Sequence, residues 1–138
     1  MRTRVLIIVA AIGLLAGCGG DKKQPDFPDL HPVKGVVKRG GQPVKGGAVQ
    51  FVPDPAKPEF LTNSEVGADG TFTLSTVRTT DSKGERKPGA PVGTYKVTFT
   101  PPLGDQTAEG HINPIDLPKS VEVKAGDNNL TIELPAKK

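Results

Sequence analysis

The chain has 138 residues, 35% hydrophobic and 24% charged, with 17 Gly, 14 Pro, one Tyr, one Cys and no Trp. That length allows one domain of ordinary size, and the Gly and Pro excess favours turns over long helices. One cysteine excludes an intrachain disulfide and any multi-cysteine zinc site, while a formal charge of +3 gives the chain a basic cast.

The N-terminus accounts for most of that charge. Arg2 and Arg4 precede thirteen uncharged, mostly apolar residues, Val5 to Gly17, the n-region and h-region of a secretory signal. A membrane span needs about 20 apolar residues to cross roughly 30 Å of hydrocarbon, so this stretch is too short for a permanent anchor. Leu15-Ala16-Gly17-Cys18 resembles the bacterial lipobox, in which small residues precede a cysteine that receives a diacylglycerol thioether before cleavage. The resemblance implies that residues 1–17 are a lipoprotein signal peptide and that Cys18 begins the mature chain. Two or three acyl chains make a stable anchor where one binds only marginally. The membrane is then a partner through Cys18, and the address is the cell envelope: the periplasmic face of either membrane, or the cell surface. The competing reading is an ordinary signal peptide followed by a free thiol. Removing Arg2 and Arg4 leaves 16 basic against 15 acidic side chains. The mature chain is nearly neutral, and with no basic stripe or aromatic platform no nucleic-acid partner is expected.

Residues 18–31 read as the lipidated cysteine and a flexible tether: the stretch GGDKKQPDFPDLH is polar and Pro/Gly-rich, with Phe27 and Leu30 its large apolar groups. Fully extended, thirteen residues reach about 43 Å. The alternative is that Phe27 and Leu30 dock on the domain.

From residue 32 the pattern has period two. Val33, Gly35 and Val37 alternate with Lys34, Val36 and Lys38; Tyr95, Val97 and Phe99 with Lys96 and Thr98; Leu130, Ile132 and Leu134 with Thr131 and Glu133. Such alternation puts one face in a core and the other in water. Turn signals at 39–43, 68–71 and 125–129 divide the runs. Seven strands are expected, near 33–38, 47–52, 59–66, 71–77, 93–100, 119–124 and 129–134, the third having the weakest pattern. The fold class is all-β: a single seven-stranded antiparallel β-sandwich over 32–135, followed by a basic tail at 136–138. If all seven strands alternate in direction, the tether shares one end with loops 53–58, 78–92 and 125–128. The other end then carries 39–46, 67–70 and 101–118, and the basic 78–92 loop is expected to face lipid.

Pro32-Val33-Lys34-Gly35-Val36-Val37, and then Gly41-Gln42-Pro43-Val44 through Val49-Gln50-Phe51-Val52-Pro53, resemble the opening of carboxypeptidase regulatory-like (transthyretin-like) domains. Ala68-Asp69-Gly70-Thr71-Phe72-Thr73-Leu74 and Pro91-Val92-Gly93-Thr94-Tyr95-Lys96-Val97 extend the resemblance, which covers 32–100 well and the rest loosely. Lipobox, linker and single sandwich together are similar to small lipoproteins of planctomycete-type bacteria. The resemblance implies a transthyretin-like or immunoglobulin-like sandwich acting as an accessory rather than a catalyst.

The candidate chemistry is sparse. Hydroxyisourate hydrolases of the transthyretin-like fold carry a Tyr-Arg-Gly-Ser tail, whereas this chain runs Leu134-Pro135-Ala136-Lys137-Lys138. His31 and His111 lie far apart without ligand spacing around them, and none of Ser64, Ser75, Ser82 and Ser120 sits in a nucleophile elbow. No catalytic residue is assigned, no metal ligand set and no cofactor. The long 101–118 connection carries Asp105, Glu109, His111 and Asp116, without Lys or Arg up to Pro118, and is the candidate ligand loop. The sequence thus predicts a membrane-anchored cell-envelope lipoprotein, non-enzymatic, whose module is structural or binds an envelope protein. The alternative is a ligand- or metal-binding accessory module using the 101–118 loop.

Overall fold

A computed structural model describes residues 24–103 and 113–136. Eleven strands run through them, and no helix: β1 (Val33–Arg39), β2 (Gln42–Pro43), β3 (Ala48–Pro53), β4 (Phe60–Glu65), β5 (Thr71–Thr73), β6 (Ser75–Arg78), β7 (Arg86–Pro88), β8 (Gly93–Thr100), β9 (Ile115–Asp116), β10 (Val121–Val123) and β11 (Asn128–Leu134). They form two sheets, a smaller one in the order β11-β1-β2 with β5 also on β1, and a larger one in the order β10-β8-β3-β4-β6-β7 with β9 on β8. The molecule is an all-β sandwich.

All seven expected runs are present, with ends shifted by a residue or two. The count rises for two physical reasons. The run at 71–77 breaks at Leu74, which is fully buried; its N–H donates to Val33 O at 2.8 Å and its carbonyl accepts from Gly89 N–H at 2.9 Å. There the chain passes from the small sheet to the large one, so one alternating run serves both. The short strands β2, β7 and β9 lie in segments whose sequence reads as turn or loop; cross-strand backbone bonding makes them, not side-chain alternation.

Every pair is antiparallel except β1 with β11, which runs parallel over Val33↔Asn128 to Arg39↔Leu134. Directions alternate along the seven runs, and an odd number sends the first and last the same way, so their adjacency is parallel. One end of the sandwich, the base, therefore carries residues 24–32 and the turns after β3, β6, β7 and β10. The opposite end carries the turns after β1 and β4, closed by Val37 N–H to Gly70 O at 2.8 Å and Val66 N–H to Gly47 O at 2.9 Å.

Alternation fills the core. Val49 and Phe51 of β3, Tyr95, Val97 and Phe99 of β8, Val33 and Val37 of β1 and Ile132 of β11 are all at most 2% exposed. Phe51 spans the two layers, 6.0 Å from the Phe72 ring and 5.9 Å from that of Tyr95, both tilted, the separations at which aromatic pairs attract. Phe72 lies over Gly35, where a Cβ would come 2.7 Å from the ring; glycine at this inward position of β1 makes room for it. Gly70, at φ +81°, makes the turn that delivers Thr71 and Phe72. Asp69 accepts from the Thr71 hydroxyl at 2.7 Å and the Thr71 N–H at 3.1 Å, bonds that hold its carboxyl below the usual carboxylate range.

Candidate functional site

The base is where the chain enters the sandwich, and residues 24–31 are packed on it. Phe27 stands 5.4 Å from the Phe60 ring, while the Arg78 guanidinium carbon and Lys87 Nζ lie 4.6 and 4.8 Å from its centroid. Aromatic and cation–π contacts of this kind are each worth about 0.5–1 kcal/mol at exposed sites. Thr80 Oγ1 donates to Gln24 Oε1 at 2.7 Å. His31 exchanges two 2.9 Å backbone bonds with Ala90, and its Nδ1 accepts from Gly126 N–H at 3.1 Å. Of the stretch 18–31 read as a tether, residues Gln24 to His31 pack on the sandwich as a strap, the arrangement of the alternative reading in which Phe27 and Leu30 dock on the domain. Phe27 and Leu30 were the signal. Composition hid it, because Pro and Asp around one phenylalanine give the same pattern whether or not that ring finds an apolar partner.

The basic 78–92 loop lies at the base as well, the end expected for it. Arg78 Nη1 meets Glu85 at 3.0 Å and Asp81 at 3.8 Å, and Lys87 Nζ lies 4.0 Å from Glu85. Asp81 further accepts the Lys83 N–H at 2.9 Å. Arg78 and Lys87 are thus engaged by the loop's own carboxylates and by the strap.

A second feature lies on the outer face of the large sheet. The pairings Gln50↔Asn63, Asn63↔Ser75 and Val77↔Arg86 put residues of four strands on one outward-facing surface. A groove of about 580 Å³ runs across it, lined by Gln50, Asn63, Glu65, Ser75, Arg86 and Thr100 among others. Arg86 Nη1 donates to Asn63 Oδ1 at 3.0 Å and to Ser75 Oγ at 2.5 Å. Among the described residues no carboxylate lies within 4.0 Å of it. A guanidinium fixed by two neutral acceptors keeps its charge and its remaining donors for an anionic group from outside. Arg86 falls within the stretch whose sequence reads as the basic 78–92 loop; its partners are 23 and 11 residues distant, and only sheet register unites them.

Of the predicted site residues, Asp116 sits in β9 and accepts the Thr98 hydroxyl at 2.7 Å, a cross-strand link on the outer face. Asp105, Glu109 and His111 lie outside the described residues, as do Leu15, Ala16, Gly17 and Cys18. Among the described residues no group of three or more His, Cys, Asp or Glu could hold a metal ion, and no helix is long and apolar enough to cross a membrane.

These features define an all-β sandwich strapped at one end and grooved on its larger sheet. No family model, curated protein or solved structure matches the chain.

Proposed function

We propose that the chain is a membrane-anchored cell-envelope lipoprotein whose sandwich is a non-enzymatic module binding a protein of the envelope. The apolar segment behind Arg2 and Arg4, Leu15-Ala16-Gly17-Cys18 closing it, and the resemblance of 32–100 to carboxypeptidase regulatory-like accessory domains support this reading. The observation that carries it is the strap. With Gln24 to His31 bound to the base, only residues 19–23 separate Cys18 from the domain, and five residues reach roughly 17 Å. A lipid on Cys18 would hold the base close to the headgroups. The Arg86 groove lies on the flank, where an acidic side chain of a neighbouring envelope protein can reach the guanidinium.

Metabolic labelling with palmitate tests the anchor. Full-length chain is expected to take up label, and Cys18→Ser to take up none. Label retained by Cys18→Ser, or missing from the unaltered chain, overturns the proposal.

A further inference from the structure

β11 is the long, open edge of the small sheet. It pairs with β1 along seven residues, and among the described residues nothing pairs with its other side. Asn128 N–H donates to Pro32 O at 2.9 Å. In a parallel ladder alternate residues of a strand bond to the neighbour, so Leu130, Ile132 and Leu134 follow Asn128 in facing β1. The N–H and C=O groups of Asn129, Thr131 and Glu133 then point away from the sheet.

Other edges are guarded in ways β11 is not. β7 is Arg86-Lys87-Pro88, with two cations and a proline, and β10 and β9 have three and two residues; short length, charge and proline are the usual protections of an edge. β11 has no proline, no lysine and a single charge, Glu133.

We propose that β11 pairs antiparallel with β11 of a second copy of this chain, about a two-fold axis at Thr131. The sequence of the strand is complementary to itself in that register. Thr131 faces Thr131 of the other copy, a pairing antiparallel sheets favour. Asn129 faces Glu133 of the other copy, so the carboxylate meets an amide and not its own kind. The outward-pointing residues fall into hydrogen-bonded pairs, giving about six backbone bonds, and half-buried Leu130 is covered by Ile132 of the other copy. Register shifts by two residues either way lose the central threonine pair, setting Thr131 opposite Asn129 in one case and opposite Glu133 in the other, and the four-residue shift that moves the axis to residue 133 sets the two Glu133 carboxylates opposite each other. The axis sends the two strapped bases in opposite directions, so an anchored pair lies with its strands along the bilayer.

Disulfide trapping in the full chain carrying Cys18→Ser tests the register, since an introduced thiol is then the sole one. Hydrogen-bonded antiparallel partners have Cα atoms about 5.5 Å apart, within disulfide reach. Thr131→Cys is expected to give a covalent dimer on non-reducing gels. Asn129→Cys alone should stay monomeric, and should cross-link when mixed with Glu133→Cys. As a second readout, Asn129→Lys should tighten the dimer several-fold in sedimentation, and Asn129→Glu should weaken it several-fold, because each change acts twice across the axis. A monomeric Thr131→Cys, cross-linking of Asn129→Cys alone to the same extent, or cross-linking of Thr131→Cys only to a different protein would each overturn the proposal.

Discussion

The ring of Phe27 packs at 5.4 Å against that of Phe60, the first residue of β4. That contact ties the segment preceding the sandwich to the large sheet, and Arg78 and Lys87 close over its other sides. It determines where the chain leaves the domain, and so how near to an anchor at Cys18 the domain must stand.

Phe27→Ala should release the strap. Loss of the ring's contacts predicts about 1–2 kcal/mol less stability, measurable in urea, with faster hydrogen exchange at the His31 and Ala90 amides that close the strap. Unchanged exchange at those two amides would show that the strap is held without Phe27.

Among the described residues Asn128 is the side chain with the most hydrogen bonds to backbone groups. Its side chain is largely buried, accepts Lys124 N–H at 2.9 Å and donates to Lys124 O at 2.8 Å and Gly126 O at 3.0 Å. Asn128→Ala leaves these backbone groups without partners and should cost about 2–3 kcal/mol. Asn128→Asp keeps the acceptor but turns a carboxylate oxygen on the Lys124 and Gly126 carbonyls, so it should cost at least as much near neutral pH, as thermal or chemical denaturation would show.

Tyr95 makes the pH dependence specific. Its hydroxyl donates to Pro91 O at 2.6 Å, and burial pushes the phenol up to about 12. Below pH 10 the group is protonated folded and unfolded, and its contribution is constant. Between about 10 and 12 the unfolded chain ionises first, so stability falls with rising pH by roughly 1.4 kcal/mol per unit. Tyr95→Phe lacks this contribution. The advantage of the unaltered chain over Tyr95→Phe at neutral pH should therefore shrink across that window; a constant difference would contradict the assignment.

Arg86→Gln should leave the melting temperature nearly unchanged, since the residue is exposed and its partners Asn63 and Ser75 can turn to water. It should weaken capture of the envelope partner about tenfold or more, because a charge-assisted contact contributes roughly 1.5–3 kcal/mol. Quantitative pull-down of the lipidated protein with either side chain measures this.

What the sequence made legible follows from range. Period-two alternation in Val49-Gln50-Phe51 and Tyr95-Lys96-Val97 is a local pattern, and it placed the core strands. The turn at Asp69-Gly70 was legible for the same reason. Leu74 was not recognised as a crossing between sheets, because a buried leucine looks alike in either layer. The strap depends on whether Phe27 meets Phe60, and the groove on Arg86 meeting Asn63 and Ser75; both are long-range coincidences that no local pattern records. The parallel β1–β11 pair was implicit in alternating directions, but adjacency of the first and last strands was not.

The intact mass of the mature chain, recovered from membranes after expression at full length, tests the central claim most directly. The account predicts a polypeptide beginning at Cys18 and heavier than its sequence by a diacylglycerol thioether, with or without a third acyl chain on the α-amine. A chain with an unmodified Cys18, or one still carrying residues 1–17, would contradict it.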